Sequence, residues 1–304
     1  MNAPRGRLLA VYVFCCAVWG STWLVIKIGL RDLPPFHFAA VRMAAACLLM
    51  APIALRRGAR PPTRREAAWI AVCGFLQIGV SYAFIFTASR WIASSLAALL
   101  FCSFPIWVGL FGHWLLPDEP LTVRTVAASV LGLSGVAVIQ GPSVLEALRA
   151  RPGPLLIGGL CVLGSAIVSA IANVLNKKHF AGVSPYLNVW GQTFVGAAFL
   201  VVLAALFEWG AGMRWTPESV FALAYLALFG TAMTFAGLFW LIPRVPVAVI
   251  GTIPLADTTV AVLLGVAILG ETLSARILAG GALILSGVVL AASSRRPAEL
   301  ARAA

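Results

Sequence analysis

Charge is scarce in this sequence. Only 11% of its 304 residues are charged, against roughly 25% in a soluble domain, and acids are scarcer still, with 10 Asp and Glu against 22 Lys and Arg. With 61% hydrophobic residues and a mean hydropathy of +0.98, this excludes an ordinary soluble globule and sets most of the chain against lipid or other apolar helices. The net charge of +12 does not point to nucleic acid as a partner, because the basic residues fall in short runs between apolar segments. Cysteine is sparse too: Cys15, Cys16, Cys47, Cys73, Cys102 and Cys161 lie in or beside apolar segments, with no CxxC and no His/Cys set at zinc spacing. Neither a disulfide framework nor a metal or cofactor site is expected. No Gly-rich phosphate loop occurs, nor a nucleophile and base at usable spacing, so neither catalysis nor direct nucleotide drive finds support.

Long apolar runs are abundant. Ten spans fall near 8–30, 36–55, 67–87, 92–116, 122–140, 155–176, 186–207, 218–240, 246–269 and 275–293, each approaching the ~30 Å hydrocarbon core at ~1.5 Å per residue. The first lacks a small-x-small cleavage site and reads as a retained span. Ten spans put both termini on one side, and the basic residues then sort unevenly. One side holds Arg5, Arg7, Arg56, Arg57, Arg60, Arg64, Arg65, Arg124, Lys177, Lys178, Arg244, Arg295, Arg296 and Arg302; the other holds only Arg31, Arg90, Arg149, Arg151, Arg214 and Arg276. The positive-inside rule makes the richer side cytoplasmic, with both termini on it, in the cell (inner) membrane.

The chain also repeats itself. Residues 119–136 recur at 271–288, displaced by 271 − 119 = 152, pairing Glu119 with Glu271, Leu121 with Leu273, Arg124 with Arg276, and Leu133 to Val136 with Leu285 to Val288. Two similar halves follow, 1–140 and 154–293, with a polar linker at 141–153 and a tail at 294–304. Five spans per half is an odd number, so the halves enter the membrane from opposite sides. The expected fold is all-α integral membrane, ten transmembrane helices as two inverted five-helix repeats.

Trp19-Gly20-Ser21-Thr22-Trp23, Lys27, Leu33-Pro34-Pro35-Phe36 and Arg42 resemble the opening of an EamA-type member of the drug/metabolite transporter superfamily. Ala93-Ser94-Ser95-Leu96-Ala97-Ala98-Leu99-Leu100, Pro105 and the turn Glu119-Pro120-Leu121-Thr122 resemble the end of the same module, and Gly270-Glu271-Thr272-Leu273 through Ser286-Gly287-Val288 the end of a second copy. The resemblance implies a central cavity lined by spans one, three and four with six, eight and nine, and export of small metabolites. At the start of the second copy the sixth span reads Ser169-Ala170-Ile171-Ala172-Asn173, so the tryptophan motif has no clear counterpart there.

Asp257 is the acid placed deep within a span, eleven residues past Pro246 and so roughly 16 Å into the membrane. An intramembrane carboxylate costs several kcal/mol unless protonated or paired, which makes Asp257 a candidate proton carrier or partner for a substrate amine, or else one end of a structural pair. Lys27 and Arg42 are the cations well inside spans, with Arg42 ~9 Å deep and within side-chain reach of Asp257 if their helices are neighbours. Two cations and one acid would suit a zwitterion; otherwise Lys27 snorkels outward and Arg42 bonds to loop carbonyls. Trp19, Trp23, Tyr82 and Trp107 are candidate aromatic contacts, and Gln77, mid-span, is a cavity or interhelical hydrogen-bonding group. Trp69, Trp91, Trp114, Trp215 and Trp240 lie near span ends, as an interfacial belt would. In the repeat, Ala128, Gly132 and Gly135 form a small-residue packing stripe.

The sequence therefore points to a secondary transporter, not an enzyme, that exports a small metabolite such as an amino acid, nucleoside or drug-like compound by alternating access. A non-transporting sensor or helical scaffold is the alternative. Its partners are a small-molecule substrate and membrane lipid; proton coupling through Asp257 and facilitated diffusion both stay open, and oligomeric state has no signature.

Overall fold

The computed structural model describes residues 4–56, 60–92, 97, 100–150, 152–258, 260 and 275–292. The expected tail, Glu271 and parts of the fourth and ninth spans lie outside the described residues.

Among the described residues the principal helical segments are, in chain order, α1 (Arg5–Gly29), α2 (Pro35–Ala54), α3 (Arg64–Ala88), α4 (Phe104–Leu115), α5 (Val123–Ala150), α6 (Pro152–His179), α7 (Pro185–Phe207), α8 (Pro217–Leu241), α9 (Val247–Thr258) and α10 (Ala275–Ala292). Six of these, α1, α2, α3, α6, α7 and α8, are long and apolar enough to cross a membrane over their described residues. Residues 141–150, expected as a polar linker, are helical and continue α5 despite Pro142.

Local chemistry sets the helix starts. Proline opens α2, α7 and α8, where its fixed φ suits the first turn and its missing N–H is no loss. Thr63 and Thr216 build capping boxes with Glu66 and Ser219 at the starts of α3 and α8. These two helices share a second feature, since each is interrupted by a π-helical turn, Phe75–Val80 in α3 and Leu228–Met233 in α8. The caps are displaced by 216 − 63 = 153 and the π turns by 228 − 75 = 153, so the duplication extends to the irregularities of the helices.

Two further helices are broken at matching places. A turn at Cys102 and Ser103 precedes Phe104-Pro105, and a turn at Thr252 precedes Ile253-Pro254, displaced by 254 − 105 = 149. The breaks pack on one another: Cys102 Sγ donates to Pro254 O at 3.4 Å, and a Cβ on Gly251 would lie 3.2 Å from Pro105 Cα.

Corresponding helices of the two halves also pair. A Cβ on Gly287 would meet Ala128 O at 2.7 Å, and one on Gly280 would meet Gly135 O at 2.6 Å, so the duplicated stretches in α5 and α10 touch backbone to backbone through small residues. Partner numbers rise on one helix as they fall on the other, which makes the pair antiparallel. The same holds for α2 and α7, where Phe36 meets Phe207 and Cys47 meets Trp190.

Candidate functional site

A cavity of about 120 Å³ sits among these irregularities, where α1, α2, α3, α6, α8 and α9 converge. Trp19, Trp23, Arg42, Gln77, Tyr82 and Asp257, six of the eight residues singled out from sequence, line it.

Arg42 dominates one wall. Its side chain is 1% exposed, with Nε donating to Thr231 Oγ1 at 3.0 Å and Nη2 to Gly230 O at 3.2 Å and Tyr82 Oη at 3.4 Å. The guanidinium also lies 5.3 Å from the Tyr82 ring centroid. Both acceptors on α8 belong to its π turn, whose widened backbone lets side chains reach the Gly230 carbonyl; Trp19 Nε1 donates to it as well, at 3.3 Å. Arg42 Nη1 has no partner among the described residues.

A polar ladder makes the opposite wall. Ser81 Oγ shares hydrogen bonds with Ser165 Oγ and Ser169 Oγ, each at 2.8 Å, and Asn173 Nδ2 donates to Gln77 Oε1 at 3.0 Å. Gln77 lies in the π turn of α3 and Ser81 directly follows it. Asn173 Oδ1 is buried and unpartnered among the described residues. Two residues lining the cavity thus carry a buried donor and a buried acceptor unpartnered among the described residues, and buried groups left unpaired in this way are rare.

Asp257 closes the floor from α9, three residues beyond Pro254, and is 8% exposed. Among the described residues it forms no ion pair with Arg42 or Lys27, although Arg42 and Asp257 share one cavity. Gly20 in α1 explains how closely that floor approaches: a Cβ there would be 2.6 Å from Asp257 O and 2.9 Å from Val260 Cβ. Trp19 packs edge-on to Phe235 at 5.5 Å and Trp23 to Phe101 at 6.4 Å, giving the cavity its aromatic sides.

The other two expected residues are placed elsewhere. Lys27 is exposed on α1, where an ammonium on a long stem is least costly. Trp107 is one turn beyond the break before α4, packing among Phe104, Val108 and Ala166 with its Nε1 donating to Ser103 Oγ at 3.3 Å. Thr22, Ser81, Ser169, Asn173 and Pro254, which line the cavity, were not among the expected residues. Ser165, Ser169 and Asn173 recur every four positions in an apolar helix, and that spacing was the available signal.

Each end of the bundle is tied by a carboxylate at a helix start. At the end where α1 finishes, Glu208 accepts from Phe36 N at 3.1 Å, His37 N at 2.9 Å and Arg90 Nη2 at 2.5 Å, with His37 Nδ1 3.0 Å away. At the end where α1 begins, Glu119 accepts from Val247 N at 2.7 Å and pairs with Lys177, which also donates to Val245 O. Both ties favour a helix N-terminus electrostatically.

Comparison with known proteins identifies this architecture. A model of the EamA-like transporter family matches residues 6–140 and again 156–293. The chain belongs to that family. Uncharacterized transporter YoaV of Bacillus subtilis (strain 168) is 27% identical to this EamA-like chain over 275 residues, covering 90% of it and 92% of YoaV. Uncharacterized inner membrane transporter YedA of Escherichia coli (strain K12) is 29% identical over 272 residues, covering 88% and 84%. A crystal structure with 22% identity superposes with a TM-score of 0.76 over 95% of this chain and 97% of its own, so the fold is shared. The family match and the apolar helices together make the protein a multi-pass membrane transporter.

Proposed function

We propose that this EamA-like protein is a secondary transporter that exports a small metabolite by alternating access, its two halves inverted in the membrane and rocking about the central cavity. The antiparallel pairing of α5 with α10 and of α2 with α7 supports the inversion, since corresponding helices then run in opposite directions. The bundle end carrying Arg5, Lys177 and Arg244 is the cytoplasmic one, as the positive-inside rule requires.

One observation carries the substrate reading: buried Arg42, whose Nη1 has no partner among the described residues, lines the same cavity as Asp257. Arg42 is held by Thr231, Gly230 and Tyr82, so its guanidinium is fixed at the cavity wall as a partner for a substrate carboxylate or carbonyl. Asp257 takes the substrate amine, or a proton when the amine is absent, and Trp19 and Trp23 flank an apolar or aromatic body. An amino acid meets these terms most fully, with nucleosides and drug-like amines served by the same aromatic walls.

Efflux from proteoliposomes loaded with a labelled amino-acid and nucleoside mixture tests this. Saturable efflux should fall at least about tenfold in Arg42→Gln and Asp257→Asn, corresponding to one lost charge-assisted hydrogen bond. Wild-type rates of amino-acid efflux in both variants would sink the assignment. If Asp257 couples protons, Asp257→Asn should also lose the dependence of efflux on a pH gradient.

A further inference from the structure

A second cavity, about 650 Å³ in volume, opens at the end of the bundle where α2 and α8 finish and α7 begins. Its walls are unlike those of the central cavity. Arg56 and Arg60, beyond the end of α2, and Arg244, beyond the end of α8, supply three guanidinium groups, while Ile53, Phe239 and Tyr186 supply apolar surface. The groove therefore draws on both halves of the chain, and helix termini on three sides put it at the membrane–water boundary.

The guanidinium groups retain unused donors. Arg60 Nη2 donates to Glu66 Oε1 at 2.6 Å, and Arg244 Nη1 donates to Trp240 O at 2.6 Å with its guanidinium 4.5 Å from the Trp240 ring centroid. Each guanidinium has five N–H groups, so both can serve a ligand as well. Neither Arg56 nor Arg244 has a carboxylate partner among the described residues, which leaves two uncompensated positive charges beside the groove. Ser184, Tyr186 and Leu187 from the start of α7 also line it. Ser184 makes no side-chain cap, so the first-turn amides of Tyr186 and Leu187, which the helix cannot satisfy, lie at the same place as the arginines.

We infer that this groove binds a phosphate group, and that the phosphate is the headgroup of an anionic membrane lipid. Arginine matches phosphate oxygens with paired N–H bonds, and the helix start adds donors of the same sign. The apolar flank of Ile53, Phe239 and Tyr186 beside the charged rim fits a ligand with an acyl chain attached, which inorganic phosphate lacks. The inference does not depend on the transport reading of the central cavity. Bound there, one lipid would bridge the end of α2 in the first half to α7 and α8 in the second.

The test is lipid retention by the purified full chain, read by native mass spectrometry and by the thermal unfolding midpoint in detergent. Phosphatidylglycerol, phosphatidylcholine and inorganic phosphate are added separately. Phosphatidylglycerol should be retained and should raise the midpoint, whereas phosphatidylcholine should do neither. In the double variant Arg56→Gln/Arg244→Gln the apparent affinity for phosphatidylglycerol should fall about tenfold to thirtyfold, the loss of two arginines near a charged surface. Arg64→Gln/Arg65→Gln removes the same charge from the same end outside the groove and should retain wild-type affinity. Lysine at 56 and 244 should restore part of the loss, which separates charge recognition from a folding defect. A midpoint raised by inorganic phosphate but not by the lipid would support the phosphate site and overturn the lipid as its source. Equal retention of both lipids, or equal losses in the two double variants, would overturn the site itself.

Discussion

At the scale of single residues, Gly20 and Arg42 show how little spare room the centre has. Gly20 is where α1 lies against the backbone of Asp257, and no side chain fits between them. Gly20→Ala should force α1 and α9 apart and lower stability by about 1–3 kcal/mol, the usual cost of overpacking. Thermal unfolding in detergent would register this as a lower midpoint, with Gly281→Ala, where a Cβ meets nothing within 4 Å, unchanged. Arg42 and Asp257 were legible in the sequence as a cation and an acid well inside their spans, each a candidate for substrate or for a structural bond. What was not legible was that they share a cavity without pairing, because that depends on Thr231 and Gly230 holding the guanidinium from a helix distant in sequence. Lys27 carries the same charge but lies in the last turn of α1, nearer the helix end than Arg42 is on α2, and it is exposed.

At the scale of elements, the π turns in α3 and α8 decide what the cavity contains. Each widens its helix by one residue, which turns the residues on one side of it relative to those on the other. Deleting one residue from Leu228–Met233 should regularise α8, carry Thr231 and Gly230 away from Arg42, and abolish efflux while leaving helix content by circular dichroism nearly unchanged. Retained efflux would mean that the π turn is incidental. The helices themselves were plain from apolar length and from Pro and Thr at their starts. Their irregularities were not, since a π turn has no strong residue signature and the hydrophobic pattern runs through it. The helical continuation of α5 past Pro142 was concealed for a related reason: Gly141-Pro142 is a strong local stop signal, yet the helix runs through it.

At the scale of the whole molecule, the two carboxylate ties are the contacts that alternating access would have to break in turn. Glu119→Gln should loosen the start of α9, and Glu208→Gln the start of α2, each losing about 1–3 kcal/mol of charge-assisted bonding. In a cysteine-free background carrying Ser81→Cys, Glu119→Gln should speed labelling by a membrane-impermeant thiol reagent from the side on which α1 begins, and Glu208→Gln from the side on which α1 ends. Labelling that changes from both sides at once, or from neither, would speak against separate gates.

The Glu208 tie has no counterpart at the end of α2. α7 has 23 residues and its counterpart α2 has 20, and Glu208 follows α7, where it reaches the start of α2. The residue after α2 is Leu55, which can make no such bond. A pair of identical inverted halves would be degenerate: the inward-facing and outward-facing conformations would be mirror descriptions of one energy, each populated half the time. Were the two halves to rock as proposed, three extra residues and one carboxylate would lift that degeneracy, and the resting state of the empty protein would be set by where the halves have ceased to match.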